Sequence, residues 1–343
     1  MTARHKLAMA AVALAALHAV ILLAGFVAPC EFSAQNRDFT FAPPMRVHFL
    51  DLRGKFHARP FVYGFKPEVT GIGSYEADPA LAYPIEFFVQ GAPYKIAGFI
   101  PARTHLFGVR APGRIFLMGT DAYGRDQFSR FLYGGQISLL AGLLAAVISV
   151  GLGMAVGAVA GFYGGWIDEL LMRGGELFVA LPWLYLLFAV RAVLPLHIAG
   201  WQVFLLLVSV MGLIGWARPA RLIRGVVLSA KERNFVLAAR GFGASDISIL
   251  TRHVLPQTSG VVLTQLTLLI PQYVLAEVTL SFLGLGVSEP TPSWGSLLSS
   301  LQQYSVLASY WWMFLPALLL VPVFLLYYLA ADALQERLGS VNL

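Results

Sequence analysis

Charge and cysteine are what this 343-residue sequence has least of. Only 12% of its residues are charged against 58% hydrophobic, and the mean hydropathy is +0.71. That balance excludes an ordinary soluble globular chain and describes a multi-span α-helical membrane protein. Cys30 is the single cysteine, so neither an intrachain disulfide nor a thiolate metal cluster can form. It follows the first apolar run, but Pro29 directly before it does not resemble a lipoprotein processing site. No Gly-x-x-x-x-Gly-Lys-Ser/Thr loop occurs, so any ATP chemistry must reside in a partner. No His-Glu-x-x-His spacing orders His48, His57 and His105 into a metal site, and none is expected. The net charge of +6 does not signal nucleic acid, because the basic residues are not interleaved with aromatics as in a nucleic-acid module. Internal repeats and low-complexity tracts are also missing.

Long apolar runs are what the sequence does have. Six are long enough to cross about 30 Å of hydrocarbon as helices, near 7–29, 136–160, 170–195, 198–217, 258–283 and 311–331. The first follows Arg4, His5 and Lys6 and exceeds the about 7–15 residues of a signal core, so it reads as a retained anchor. With the N-terminus inside, six crossings put both the basic stretch 218–257 and the C-terminus in the cytoplasm, as the positive-inside rule asks. Asp168 and Glu169, in a short turn that should also be cytoplasmic, weigh little in that rule.

Residues 30–135 are then external. Alternating runs at 46–50, 61–63 and 84–90, with turns expected at 51–55 and 91–93, suggest a small β-rich insert. Phe49, Phe56, Phe61, Phe87 and Phe88 are the aromatics expected to form its core.

Several residues stand out within the spans. Gly153, Gly157 and Gly161 share one helix face and permit close backbone approach, either within the chain or to a partner permease. The third span carries Glu176 and Pro182, and the fifth carries Pro271, Gln272 and Glu277. An ionisable group at such depth faces a wet path or a buried hydrogen-bond partner, and Glu277, Gln272 and Glu176 are the candidate pathway residues. Arg191 and His197 read as snorkelling side chains at the outer end of the third span.

The stretch from Trp216 to Gln257 is the most specific signal. It reads as a polar, basic loop in which Asn234–Arg240 forms a short helix ended by Gly241 and Gly243. Ser245 can cap a second helix, Asp246 suits its N-terminal end, and Ile247, Leu250, Thr251 and Val254 give it an apolar face. Ala238-Ala239, three residues, Gly243, nine residues and His253-Val254-Leu255-Pro256 together resemble the ATPase-docking "EAA" loop of binding-protein-dependent ABC importer permeases. Gly119-Thr120-Asp121 through Gly134, Gly161–Asp168, Leu280–Gly286 and Pro290–Gly295 are similar to the C-type subunit of the dipeptide/oligopeptide/nickel permease family. The resemblance covers about residues 115–335. Leu237 stands where that pattern usually opens on an acid, and Gln257 follows Leu255-Pro256 where asparagine is usual.

The resemblance implies an all-α polytopic fold of six transmembrane helices, the type I importer permease fold. The β-rich insert after the first helix rests on the strand alternation alone, since residues 30–115 are longer than the family's usual first external loop. Apolar runs, orientation and resemblance together divide the chain into an anchor helix 1–29, an external segment 30–135, a five-helix core 136–335 containing the loop 218–257, and a cytoplasmic tail 336–343. The resemblance implies a non-enzymatic inner-membrane permease with a sister permease, two ATPase subunits and an extracytoplasmic substrate-binding protein as partners. No cofactor is expected on this chain, ATP and Mg belonging to the ATPases. Asn234, Leu237, Ala238, Ala239, Arg240, Gly243, Ser245, Asp246, His253, Leu255 and Pro256 are the docking residues it implies. A secondary transporter coupling ions through Glu277 is the alternative, but the inverted halves such a protein usually shows are not visible. An intramembrane hydrolase fares worse, since Ser281 has no histidine or lysine partner in readable position.

Overall fold

The computed structural model describes residues 3–67, 75–96, 98–180, 182, 185–189 and 199–341. Arg191 and His197 lie outside the described residues. The chain forms two compact units, one of Met1–Ala13, Leu139–Thr279 and Phe324–Leu343, the other of Leu14–Ser138 and Leu280–Val323.

Four helical stretches are long and apolar enough to cross a membrane: Arg4–Leu22, Gln127–Tyr163, Asp246–Phe282 and Trp311–Arg337. The pair Gly200–Gly215 and Ala217–Lys231, bent by 40°, makes a fifth. The expected sixth, 170–195, is described only in part: helix Gly165–Ala180 has 16 residues, and much of the chain between it and Gly200 lies outside the described residues. The chain is therefore an all-α membrane fold with four to five candidate spans, and the count of six is not reached among the described residues. Pro182 follows the helix Gly165–Ala180, and its carbonyl accepts from the amides of Tyr185 and Leu186 at the start of the helical residues 185–189.

In the first unit we label Gln127–Tyr163 α1, Gly165–Ala180 α2, Gly200–Gly215 α3 and Ala217–Lys231 α4. Only the part of α1 from Leu139 onward belongs to this unit. At about 1.5 Å per residue the 37 residues of α1 outrun the hydrocarbon core. It stops where Gly164 and Gly165 take φ of 68° and 59°, a left-handed turn that other residues enter at a cost. The glycine face of α1 packs on this chain's own α4. A Cβ on Gly153 would lie 2.9 Å from the Trp216 carbonyl oxygen, and one on Gly161 2.9 Å from that of Arg224.

That packing corrects the expected loop boundary. Residues 217–231 are helical, so the basic stretch begins inside a bent helix and becomes a loop only after Lys231. Its arginines occupy one side of α4 while Ala217, Ala220, Ile223 and Val227 are buried, an amphipathic pattern that a count of charges overlooks.

The second unit carries the β-rich insert. Strands β1 (His48–Leu50), β2 (Phe56–Pro67) and β3 (Tyr75–Pro84) form an antiparallel sheet, and β4 (Glu86–Ile96) pairs with β5 (Ile100–Gly108). The turn expected at 51–55 is present: Asp51 accepts from the Arg53 and Lys55 amides, and Gly54 has φ of 75°. The one expected at 91–93 is instead a register shift inside β4, between Gln90 and Tyr94. The core also differs from expectation. Met45, Val62, Ile85, Ile115 and Phe116 build it, while Phe49, Phe56, Phe87 and Phe88 are exposed and only Phe61 is buried. Phe49 and Phe56 flank the β1–β2 turn. Phe88 has φ of 56°, which breaks the in–out alternation of β4 and leaves two consecutive phenylalanines outside.

Candidate functional site: the projecting loop and the polar centre of the span bundle

The loop after α4 begins with α5 (Asn234–Gly241), which ends at Gly241 as its sequence suggests. Gly243 supplies the left-handed turn, φ 80°, between α5 and the next helix, α6 (Asp246–Ile249). Ser245 occupies the N-cap position of α6 without a side-chain hydrogen bond, so the expected cap is positional only. Arg240 faces Asp246 across the turn at 3.5 Å.

The buried face of this loop is shifted from the expected one. Leu250 and Val254 are buried, but Ile247 and Thr251 are exposed, and Val236 and Ile249 take their place beside Ile223 and Val227 of α4. The cause is a π-helical stretch, Leu250–Val254, that succeeds a single α turn. The wider winding changes the angle per residue, and i, i+3, i+4, i+7 spacing no longer marks one face. A 3₁₀ turn, Leu255–Thr258, then leads into α7 (Ser259–Phe282) with Pro256 at its start.

A packed platform thus holds an apolar outer surface. Phe242 is 93% exposed and Leu237 and Ile247 are more than half exposed, while Ala238 is exposed and Ala239 packs against the core. Phe242 has no periodic signal in the sequence because it lies between the two glycines. Asn234, Leu255 and Pro256 belong to the same platform, and the His253 ring lies 6.4 Å from that of Phe235.

The candidate pathway residues separate. Glu277 is fully buried, and Glu176 lies on the α2 surface, 3.8 Å from Arg221. Glu176 lines an open cavity with Asp168, Arg221 and Arg224, and Gln272 lines a separate one with Tyr273, Met211, Leu269, Phe178 and Arg218. Tyr273 donates to the Ser149 hydroxyl at 3.0 Å, and the Gly215 backbone lies against both oxygens. Arg218 belongs by composition to the basic loop, so its place beside Gln272 is not legible from local sequence.

In the second unit the segment 119–134 organises a charged cluster. Arg125 is paired with Asp121 at 2.7 Å and with Glu289 at 2.7 Å, and buried Arg130 reaches Glu289 at 2.7 Å. Burial pulls the Arg125 guanidinium down, but Asp121 and Glu289 outweigh it and hold the group above its ordinary value. Asp126 accepts from the Ser129 amide and hydroxyl at 2.8 and 2.6 Å, yet its complete burial pushes the carboxyl up to about 6. Burial likewise pushes the Cys30 thiol far up. His105 is held between the carbonyls of Ala28 and Ala92, and His57 lies 3.0 Å from Asp51.

Comparison with known proteins adds a global constraint. Residues 153–340 match the family described as binding-protein-dependent transport system inner membrane component. The dipeptide transport system permease protein of Bacillus subtilis (strain 168) is 37% identical over 221 residues, 64% of this chain and 67% of that one. A putative peptide transport system permease protein of Brucella suis biovar 1 is 38% identical over 248 residues, 72% and 81% of the two chains. The glutathione transport system permease protein of Escherichia coli O6:K15:H31 is 40% identical over 220 residues, 64% and 70%. More than half of this chain falls within the one family, and the match runs through the projecting loop and the last spans: the chain belongs to the binding-protein-dependent transport system inner membrane components, and is a non-catalytic, multi-pass permease subunit of an ABC importer.

Proposed function

We propose that the chain imports peptides or related small solutes, forming the pathway with a sister permease and docking two ATPase subunits through 234–256. The observation that carries the docking assignment is the apolar surface of Leu237, Phe242 and Ile247, held outward by a buried core at Val236, Ile249, Leu250 and Val254. A short helix presenting apolar anchors from a packed base suits insertion into a groove of another protein. Peptide cargo is supported by the relatives, which are named for dipeptide, peptide and glutathione transport. ATP and Mg would bind the ATPases, whose closure would draw the docking helices together and rock the spans.

On this reading six spans cross the inner membrane with both termini in the cytoplasm, and the insert faces the extracytoplasmic binding protein. The basic side chains around the platform, Arg233, Arg240 and Arg252, favour its cytoplasmic placement. Phe242→Asp tests the docking surface: the side chain makes little use of this chain's own core, so membrane insertion should persist. Retained ATPase subunits in a detergent pull-down, with wild-type uptake, would remove the assignment. Ala239→Asp and Gly243→Pro should uncouple transport as well, by a charge forced against packed residues and by lost backbone freedom.

A further inference from the structure

Three arginines recur along α4 at three-residue spacing, and the first of them breaks the pattern set by the other two. Arg224 is paired with Asp168 and Arg221 with Glu176, both acids on α2. Beyond Glu176, α2 continues with Leu177, Phe178 and Val179, and Arg218 has no ion pair or hydrogen bond among the described residues. It opens onto a cavity of about 350 Å³ whose walls are mostly apolar, with Gln272 as a second polar group lacking a hydrogen bond among the described residues. One turn before Arg218, Gly215 lies against Ser149 and Tyr273. Ser149 is within about four residues, or about 6 Å, of the middle of α1. The cavity therefore lies among the spans, and Arg218, level with Gly153, is about eight residues or about 12 Å from that middle. An arginine among the spans is costly unless it is paired or faces a solvated path.

We propose that this cavity is a carboxylate-binding station on the transport route, with Arg218 gripping the anionic group of the cargo and Gln272 hydrogen-bonding beside it. The guanidinium fork matches a carboxylate with two parallel hydrogen bonds, and the apolar walls from Phe178, Met211 and Leu269 take the uncharged remainder. The size suits a small solute, since ligand cavities begin at about 300 Å³. The class of cargo is a small molecule with a free carboxylate. The inference rests on the chain's being an importer permease, and deepens the peptide reading, because a peptide C-terminus supplies that group.

The test uses the complete transporter in liposomes, with Leu275→Cys placed on the cavity lining and a chain without that substitution as the labelling control. Maleimide labelling is followed with alanyl-alanine, alanyl-alaninamide or propionate present. Alanyl-alanine should slow labelling about ten-fold and the amide should not. Arg218→Gln should abolish the protection and Arg218→Lys keep part of it, both variants assembling normally by gel filtration. Equal protection by acid and amide, protection that survives Arg218→Gln, or a cysteine that never labels would overturn the proposal. So would protection set only by phosphatidylglycerol in the liposomes, which would make a lipid phosphate the occupant. Protection by propionate but not by alanyl-alanine would leave the carboxylate station standing and defeat the peptide reading alone.

Discussion

Asp168 and Arg224 form a two-pronged ion pair between the first turn of α2 and the middle of α4, 56 residues apart in sequence. The hydrogen bonds from Arg224 hold the Asp168 carboxyl below its ordinary range, against a smaller opposing effect of burial. Because the folded value is depressed, its stabilisation is complete above the unfolded value near 4 and is lost as pH falls through the folded one. Asp168→Asn should lower the unfolding midpoint at pH 7 by an amount equivalent to about 0.5–1 kcal/mol, modest because Arg224 is a third exposed. As pH falls through the depressed folded value the variant and wild type should converge, and a gap in thermal unfolding that stays constant throughout acidification would contradict the pairing.

Asp126 should behave with the opposite sign. Its folded value is raised to about 6 by burial, so the stability it lends is full below about pH 4 and is lost as pH rises through 6. Between those values the unfolding midpoint of the wild type should fall relative to Asp126→Asn, which cannot ionise. Parallel curves for the two proteins across pH 4–7 would show that the folded value of this carboxyl is not raised.

Gly157 and Gly151 lie on the same helix and should respond differently. A Cβ on Gly157 would run into the Ala220 carbonyl of α4, whereas one on Gly151 meets nothing within 4 Å. Gly157→Ala should destabilise by about 1–3 kcal/mol and Gly157→Leu should prevent folding. Gly151→Ala should be neutral or slightly stabilising, since alanine restricts the unfolded chain. Gel-filtration profiles after graded heating would read both, and equal tolerance at the two positions would mean that α1 and α4 do not pack through this face.

Glu289 neutralises two arginines at once. Glu289→Gln would leave Arg130 buried with only Asp121, at 3.7 Å, as a carboxylate partner. The expected cost is about 1–2 kcal/mol, below that of a fully buried pair because Glu289 is half exposed. Glu289→Asp, which keeps the charge on a shorter arm, should recover part of the loss. If Gln and Asp unfold at the same temperature, charge is not what Glu289 contributes.

Features encoded locally are the ones legible before folding. The apolar runs give the class, because a helix satisfies its own backbone in lipid and length is then the main requirement. The hinge glycine of the loop and the turn at 51–55 are readable because each is decided by a few consecutive residues. The segment 119–134 can be recognised as a motif, but its partner Glu289 cannot, lying about 160 residues away on another loop. Basic residues 218–231 resemble solvated loop because composition cannot see that two of the arginines are answered by acids on a neighbouring helix.

The sequence by itself determined that the chain is a membrane-spanning bundle with a projecting loop and a β insert, since hydropathy, turn residues and strand alternation act over short range. Only the tertiary structure decided which face of that loop is buried, because a π-helical turn resets the phase of every side chain after Ile249. It also decided that Arg218 belongs to a cavity among the spans and Glu277 to the packed interior. Whether a polar side chain at membrane depth meets space or packing depends on what the neighbouring helices place against it, and that is a property of their contacts rather than of any one segment.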